Sequence, residues 1–388
     1  MSTTRSPVVD RLLARYDSDV FELARDSARI RLEGLDSGAV DVLFKDGEPT
    51  VVEADGTRPD ALLTADQATW EAIAEDLSGG MDAFRSRRLR IRHDLHLGVG
   101  FLAATAAGGA GLRFRQISTT AGHISVCEAG SGPTVLLIHG LGATKASFLP
   151  TLAALAPTHR AIAVDLPGFG DSAKPIRAAY HPPYFASAMC ALLDALETET
   201  AHIVGNSMGG RVAIELGLRH PERVRRLVLL APSLAWRRSR SWAPLLRLVA
   251  PQLGLIQPAP RPVVEAIVER MLPGADSTWT AAGVDEFLRS YLTPRGRAAF
   301  YTAARNIYLE EPYGPKGFWT RLPQLELPSL FVWGRGDTLV PIGFAEHVRE
   351  ALPDSQHLEL DCGHVPQLER PRELHPAMLK FLGADGGS

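Results

Sequence analysis

From Leu112 onward, short apolar runs alternate with segments whose apolar residues recur at helical spacing. Each run ends in a loop rich in glycine, proline or polar residues. The five runs are TVLLIHG, RAIAVDLPG, AHIVGNS, RRLVLLAPS and SLFVWGRGD. This alternation predicts an α/β fold with a mostly parallel sheet and helices on both faces. Ligands of such sheets bind beyond the carboxyl ends of the strands, so we expect the functional residues in these loops.

The residues before Leu112 follow a different pattern. The segments ARIRLEG, AVDVLFKDG and PTVVEADG are divided by Gly-Asp turn signals, which predicts an antiparallel meander. We expect a helix capped by Thr64 next, then the strand RLRIRH and a very apolar helix in DLHLGVGFLAATA. The sequence therefore predicts a small α+β domain at 1–105, a linker of small residues at 106–112 and a second domain at 113–388.

The stretch Gly205-Asn206-Ser207-Met208-Gly209 matches the G-x-S-x-G pattern of a nucleophile elbow. It follows a buried-strand candidate and precedes an amphipathic helix, which is where such a turn must lie. Glycines are expected because a side chain at Gly205 or Gly209 would collide with the tight turn. Ser207 is therefore the predicted nucleophile, and the simpler alternative is a serine that only caps the helix.

A serine nucleophile needs a base and an acid, and elbow enzymes carry them in the order Ser, then Asp or Glu, then His. His364 follows a strand-like segment and a glycine and precedes a closing helix, so it is the predicted base. Asp337 ends the strand before that and is the predicted acid. Asp361 is the alternative acid, although it would have to fold back over its own loop.

An oxyanion hole needs two backbone donors aimed at the developing charge. The amide of Met208 is the first candidate, and the amide of Leu141, which follows the first of the five strands, is the second. Gly140 lets the backbone of this loop approach a substrate. His139 is expected to order the loop through hydrogen bonds, and the alternative for His139 is a role as a second base.

The motifs HGLG, DLPGFGDS, GNSMGG, GRGD and CGH resemble, in order and spacing, those of the α/β-hydrolase superfamily over residues 113–388. The resemblance implies a helical cap at about 233–325 and a scaffold or pocket-rim role for DLPGFGDS. Tryptophans in this insert fit either an apolar roof for the substrate or the core of the cap; they are Trp236, Trp242, Trp279 and Trp319. Serine at the elbow argues against the epoxide hydrolases and dehalogenases of the superfamily, which carry aspartate there.

The elements before the linker, a meander, a helix-plus-strand segment and a terminal apolar helix, resemble the sterol-carrier-like lipid-transfer domain. The resemblance covers about residues 10–105 and implies an apolar tunnel for a lipid tail or acyl chain. The alternative is a small domain that packs on the enzyme or mediates formation of a homodimer.

Composition argues against several other classes of function. A net charge of −3 gives no basis for nucleic-acid binding, and we expect the arginines of FRSRRLRIRH on the solvated face of a strand. The three cysteines are too scattered to predict a disulfide framework, and the histidines do not predict a metal site. The sequence has no phosphate-binding or dinucleotide-binding motif, so we expect no cofactor. Without a recognisable signal peptide or membrane span, we predict a cytoplasmic protein with no integral membrane segment.

These residues together predict a serine hydrolase of carboxylic esters that have apolar acyl or alcohol groups. Thioesterases and acyltransferases would use the same residues. Carbon-carbon bond hydrolases of the meta-cleavage type also resemble this chain in GNSMGG and PGFG, but their HG loop usually continues with Gly-Pro-Gly, where this chain has Leu-Gly-Ala. An alternative from another class is a lipid-binding or transfer protein in which the hydrolase part is a scaffold.

Overall fold

The structure, a computed structural model, describes residues 6–75, 83–84, 86–106, 111–236, 260, 262–263, 266 and 277–383. The chain divides into two compact units. The first contains Met1–Gln116 and Asp276–Arg289, and the second contains Ile117–Ala275 and Ser290–Ser388. Residues 276–289, which lie within the predicted cap in sequence, therefore group with the N-terminal residues. Most of the predicted linker, residues 107–110, lies outside the described residues.

The first unit contains a five-stranded sheet in the order β3-β2-β1-β4-β5. The strands are β1 Ser27–Glu33, β2 Val40–Lys45, β3 Glu48–Glu53, β4 Ala61–Thr64 and β5 Arg90–Arg92. The helices are α1 Pro7–Leu13, α2 Gln67–Glu75 and α3 Leu95–Ala104. β1 and β4 pair in parallel, and the other neighbours pair antiparallel. The predicted α+β class is confirmed, with the meander in β1 to β3.

The strand β4 was not predicted from the sequence. The expectation that Thr64 caps α2 is wrong, because Thr64 is the last residue of β4 and pairs with Glu33 of β1. Asp66 has the capping role instead, since its carboxylate accepts a hydrogen bond from the Thr69 N–H at 2.7 Å. A strand of four residues is too short to show a clear periodicity in the sequence.

The arginines of β5 are exposed to solvent, as predicted from the sequence. Arg90 and Arg92 are exposed on either side of the buried Ile91. Arg92 Nε also lies 2.6 Å from Oδ2 of Asp285, a carboxylate of the same unit.

Every residue of α3 is buried. Carboxylates accept hydrogen bonds from the backbone N–H groups at its N-terminus and just before it. Asp94 accepts from the Leu97 N–H at 2.8 Å, and Glu286 accepts from the Leu95 N–H at 2.8 Å. Asp285 accepts from the N–H of His93 at 2.9 Å. Negative charge is favourable at a helix N-terminus, so these contacts stabilise an otherwise apolar helix.

The second sheet has eight strands in the order β13-β12-β11-β10-β8-β9-β7-β6. The strands are β6 Leu112–Thr119, β7 Gly122–Ala129, β8 Thr134–Ile138, β9 Arg160–Val164, β10 Ala201–Asn206, β11 Val224–Leu230, β12 Ser329–Gly334 and β13 Gln356–Leu360. β7 pairs antiparallel with β9, and the strands from β8 to β13 pair in parallel. The five predicted strands are β8 to β12, and the strand-like segment before His364 is β13, whereas β7 was not predicted.

Helices cover both faces of this sheet, as the alternation predicts. In the second unit they are α4 Leu149–Leu155, α5 Pro182–Ala195, α6 Met208–Arg219, α8 Pro294–Tyr308, α9 Phe318–Arg321, α10 Phe344–Ala351, α11 Pro366–Glu369 and α12 Pro371–Leu382, whereas α7 Ser277–Tyr291 lies mostly in the first unit. Buried apolar residues of the strands and of α5 and α6 form the main core. In the described part of the chain, no helix combines the length and the apolarity needed to cross a membrane.

The predicted cap at 233–325 lies partly outside the described residues, and Trp242 is among those not described. The described part is helical in α7, α8 and α9. Trp319 donates a hydrogen bond to the Ala235 carbonyl at 2.7 Å, and the rings of Trp236 and Trp319 pack against Phe344. These two tryptophans therefore contribute to the core beside α10. For Trp279, the structure describes only the backbone in α7.

Candidate active site

The register of the parallel strands brings five loops to one edge of the sheet. Ile138 of β8 pairs with Gly205 of β10, and Asn206 pairs with Leu230 of β11. On the other side, β12 pairs with β11 and β13 pairs with β12. The carboxyl ends of parallel strands meet at one edge, and the strand order changes direction between β8 and its neighbours. The loops that carry the predicted site residues therefore lie next to one another.

Ser207 lies on the turn between β10 and α6, with φ 54° and ψ −116°. A positive φ is uncommon for a residue with a side chain, and such strain is typical of functional turns. The Ser207 N–H donates to the Leu230 carbonyl at 2.9 Å, and the Arg211 N–H donates to the Ser207 carbonyl at 3.1 Å. Backbone contacts on both sides of Ser207 therefore hold the strained turn.

The glycines of the elbow are required by close backbone contacts. A Cβ on Gly205 would lie 2.3 Å from the carbonyl oxygen of Gly209, inside the turn itself. A Cβ on Gly209 would lie 2.0 Å from the carbonyl oxygen of Ile138, at the end of β8. The first collision is the one predicted from the sequence. The second arises from the neighbouring strand, which sequence reasoning did not anticipate.

His364 and Asp337 meet across the loops that follow β13 and β12. Nδ1 of His364 lies 2.7 Å from Oδ2 of Asp337, and the aspartate side chain is fully buried. Oδ1 of Asp337 accepts hydrogen bonds from the N–H groups of Leu339 and Val340 at 2.8 Å and 2.9 Å. The carboxylate is therefore fixed by the backbone, and its other oxygen contacts Nδ1 of the imidazole.

The alternative acid lies elsewhere. Asp361 is largely exposed, and its Oδ1 lies 2.9 Å from Nη1 of Arg335. Two other histidines of this region have structural contacts. His357 Nδ1 accepts a hydrogen bond from the Trp333 indole at 3.0 Å, and burial lowers the His357 pKa to about 4, with a smaller contribution from Arg349. His347 lies in α10, near Glu350.

Two side chains that sequence reasoning missed hold the His364 loop in place. Glu369 accepts hydrogen bonds from the N–H groups of Gly363 and Val365, at 2.7 Å and 3.0 Å. Asn206, next to the elbow serine, donates from Nδ2 to the carbonyl of Leu230 at 3.0 Å and to the carbonyl of His364 at 3.1 Å. The second contact joins residues 158 positions apart, so no local sequence signal could reveal it.

The loop after β8 lies against the elbow. A Cβ on Gly140 would lie 3.2 Å from Cβ of Ser207, which shows how closely the backbone approaches the serine. Met208 is the first residue of α6, so its N–H has no acceptor within the helix. In the part of the chain that the structure describes, the Leu141 N–H donates no backbone hydrogen bond. Among the described residues, neither predicted oxyanion donor therefore has a backbone acceptor.

His139 is fully buried beside this loop. Its Nε2 accepts a hydrogen bond from the Leu166 N–H at 3.0 Å, so the proton of the neutral ring is on Nδ1 and is donated to the Gly140 carbonyl at 2.7 Å. Desolvation by burial is the main effect on the ring and lowers the His139 pKa, although Asp165 opposes it. These contacts support a role for His139 in ordering the loop, because both ring nitrogens are occupied by the backbone.

A second hydroxyl lies beside the nucleophile and was not predicted. Ser233 Oγ is 3.4 Å from Ser207 Oγ, and the Ser233 N–H donates to the Ser207 carbonyl at 2.9 Å. The nearby thiol of Cys362 has no comparable potential as a nucleophile, since burial raises its pKa to about 12. Ser207 and Ser233 are therefore the nucleophilic side chains to consider at the elbow.

Comparison with known proteins places both parts of the chain in families. The alpha/beta hydrolase fold family matches residues 133–371, and the SCP-2 sterol transfer family matches residues 9–102. The chain is 30% identical to a pimeloyl-(acyl-carrier protein) methyl ester esterase of Aeromonas hydrophila over 265 residues, which cover 67% of this chain and 99% of that protein. It is 29% identical to a 2-hydroxymuconate semialdehyde hydrolase of Pseudomonas sp. strain CF600, covering 69% of this chain and 93% of that protein.

A solved structure gives a similar result. The crystal structure of a membrane phospholipase A, a bacterial virulence factor, superimposes with a TM-score of 0.58 at 29% identity and covers 72% of this chain and 88% of that one. The N-terminal part is a domain of the SCP-2 sterol transfer family. The family match extends over more than half of the chain and agrees with the parallel sheet and the elbow, so this protein belongs to the alpha/beta hydrolase fold family.

Proposed function

We propose that this protein is a serine hydrolase that cleaves carboxylic esters with an apolar acyl or alcohol group. The observation that carries the proposal is the ordered pair of His364 and Asp337, joined at 2.7 Å, on loops beside the strained serine elbow. A strained turn has to be held by its surroundings, and such strain is found where function needs it. Ser207 is the nucleophile in this proposal.

The reaction follows from the roles of these groups. Ser207 Oγ attacks the acyl carbon while His364 accepts its proton, and Asp337 holds the imidazole and stabilises the imidazolium. The N–H groups of Leu141 and Met208 bind the oxyanion. The tetrahedral intermediate collapses, the alcohol leaves with the proton from His364, and Ser207 keeps the acyl group. Water then attacks the acyl-enzyme with His364 as base, which releases the acid and restores Ser207.

Two observations support an apolar ester as the substrate. The relatives include a methyl ester esterase, the similar solved structures include a phospholipase A, and both names describe ester cleavage. The N-terminal domain belongs to a sterol transfer family, whose name implies an apolar ligand. We assign this domain the role of delivering or sensing the apolar substrate. Acyl thioesters would be attacked by the same residues.

Cleavage of a carbon-carbon bond is a second candidate. The similarity to a 2-hydroxymuconate semialdehyde hydrolase favours it, and so does the GNSMGG motif. The loop after β8 weighs against it, since this chain has Leu141, Gly142 and Ala143 where the meta-cleavage enzymes usually have Gly-Pro-Gly. Ester cleavage therefore remains the main proposal.

The test compares the wild type with Ser207→Ala on p-nitrophenyl esters from acetate to palmitate. Loss of a nucleophile costs several orders of magnitude in kcat, so the variant should show almost no turnover. A fluorophosphonate should label the wild type at Ser207 with one adduct per chain, as read by peptide mass spectrometry. The chain-length optimum in kcat/KM would then define the acyl pocket.

The matched control is Ser187→Ala, because Ser187 lies exposed on α5, away from the elbow. This variant should keep wild-type turnover and labelling. Equal turnover by the wild type and Ser207→Ala would contradict the proposal. Turnover of a meta-cleavage dienoate, followed by loss of its absorbance, without turnover of any ester would favour the second candidate. Bound lipid without turnover of either substrate would favour a lipid carrier.

A further inference from the structure

The position of Ser233 is set by the nucleophile itself. Directly after β11, at Ala231, the chain turns with φ 42°, and Pro232 packs against Gly210 of α6. The Ser233 N–H then donates to the Ser207 carbonyl at 2.9 Å. This hydrogen bond therefore joins the backbone of Ser233 directly to that of the nucleophile.

The Ser233 side chain faces the reacting atom. The two Oγ atoms are 3.4 Å apart, and either hydroxyl can be the donor in the free enzyme. Among the residues that the structure describes, Ser233 is the one hydrogen-bond partner of Ser207 Oγ. Hydrogen bonds at an active site are often long in the free enzyme and shorten in the reacting complex.

Acylation removes the ambiguity in the direction of this hydrogen bond. The Oγ of an acylated serine carries no hydrogen, so it can only accept, and Ser233 can only donate. On the basis of the proposed function, we propose that Ser233 donates a hydrogen bond to the Oγ of acylated Ser207 and thereby accelerates deacylation.

In the proposed step, His364 accepts one proton and later returns it. Water attacks the acyl carbon and gives a proton to His364. The product of this attack is a tetrahedral intermediate. The bond between carbon and Ser207 Oγ then breaks, its electron pair goes to Oγ, and His364 returns the proton to that oxygen. Ser233 keeps its own proton throughout. Negative charge grows on Oγ as it leaves, so the hydrogen bond from Ser233 is stronger in this transition state than in the acyl-enzyme.

Acylation forms the same bond between Ser207 Oγ and carbon, so Oγ also carries negative charge in that transition state. The starting states differ, because the two hydroxyls are already hydrogen-bonded in the free enzyme, whereas the ester Oγ of the acyl-enzyme is a weak acceptor. Removal of the Ser233 hydroxyl should therefore slow deacylation more than acylation. When deacylation limits turnover, kcat then falls by a larger factor than kcat/KM.

The experiment uses Ser233→Ala in the full chain with p-nitrophenyl butyrate. Stopped-flow measurement should show a burst of p-nitrophenol close to one equivalent, and quenched samples should show a butyryl adduct on Ser207. The decay of this adduct gives the deacylation rate directly. We expect the decay to slow by about 10-fold, the loss of roughly one hydrogen bond, with kcat/KM within about 2-fold of the wild type. Ser233→Thr keeps the hydroxyl and should restore the decay rate.

Three outcomes would overturn the inference. Adduct decay at the wild-type rate in Ser233→Ala would show that the hydroxyl has no role. An equal loss in decay rate and in kcat/KM, without rescue by Ser233→Thr, would show that the substitution only disturbs the elbow. Absence of any butyryl adduct on Ser207 in the wild type would overturn the proposed function and this inference with it, whereas the first two outcomes leave the proposed function standing.

Discussion

Nδ1 of His364 lies 2.7 Å from Oδ2 of Asp337, although 27 residues separate them along the chain. The two residues follow β13 and β12, which pair in parallel, so the sheet brings the ends of both strands to the same edge. Backbone N–H groups already occupy the other carboxylate oxygen. The backbone therefore holds the aspartate in place through contacts that do not involve the imidazole.

The first prediction concerns this pair. Asp337→Asn should lower kcat on a p-nitrophenyl ester by about 10³- to 10⁴-fold, because an amide in that place favours the wrong tautomer of His364. KM should change little. Asp361→Asn is the control and should retain wild-type kcat, since Asp361 is exposed and contacts Arg335. Similar losses in both variants would contradict the assignment of the acid.

The second prediction concerns the contact between the loop after β8 and the elbow. In Gly140→Ala, the new Cβ would lie 3.2 Å from Cβ of Ser207, so the loop or the elbow has to shift by a few tenths of an ångström. We expect kcat/KM to fall by about 10- to 100-fold, because small displacements at a reacting centre are costly. Gly343→Ala is the control, since nothing lies within 4 Å of a Cβ there. Unchanged kinetics in Gly140→Ala would show that the loop is not part of the site.

The third prediction concerns the stability of the first unit. Glu286 is buried and receives the N–H of Leu95 at 2.8 Å, so Glu286→Ala leaves a buried donor without its acceptor. The free energy of opening of α3 should fall by about 1–3 kcal/mol. Hydrogen exchange of the amides in Leu95–Ala104, measured in the full chain, gives this free energy of opening for α3 alone. Exchange in α3 should be unchanged in Glu75→Ala, because Glu75 is exposed. Wild-type protection of α3 in Glu286→Ala would refute the capping role.

The fourth prediction concerns stability against acid. Burial lowers the pKa of His375 to about 4, so the folded protein holds this ring neutral where an unfolded chain, with a pKa of about 6.5, binds a proton. The stabilisation is fully present above about pH 6.5 and is lost as the pH falls toward about 4, by up to about 1.4 kcal/mol per pH unit. The free energy of unfolding should therefore decrease on acidification through this range.

Urea unfolding at about pH 7.5 and about pH 5 measures this slope. His375→Gln should reduce the slope, whatever its effect on stability at neutral pH, and the slope that remains comes from other groups such as His357, whose pKa is also lowered by burial. Ser187→Ala should leave the slope unchanged, because its exposed side chain does not ionise. A slope in His375→Gln equal to that of the wild type would mean that His375 is not kept neutral by the fold.

Local patterns predicted a large part of this architecture. The strands β8 to β12 were recognisable because parallel strands are buried on both faces and appear as continuous apolar runs. The strand β7 was missed because polar residues lie among its apolar ones. β4 was missed because four residues carry too little pattern.

The sequence by itself determined the fold class and the order of elements, and it put Ser207, Asp337 and His364 at the ends of strands, because these properties depend on neighbouring residues along the chain. Only the tertiary structure decided what those side chains touch. The contacts of Asn206 with His364, of Ser233 with Ser207 and of Glu286 with Leu95 join residues 158, 26 and 191 positions apart. Such contacts follow from strand order and packing, which no periodicity along the chain records.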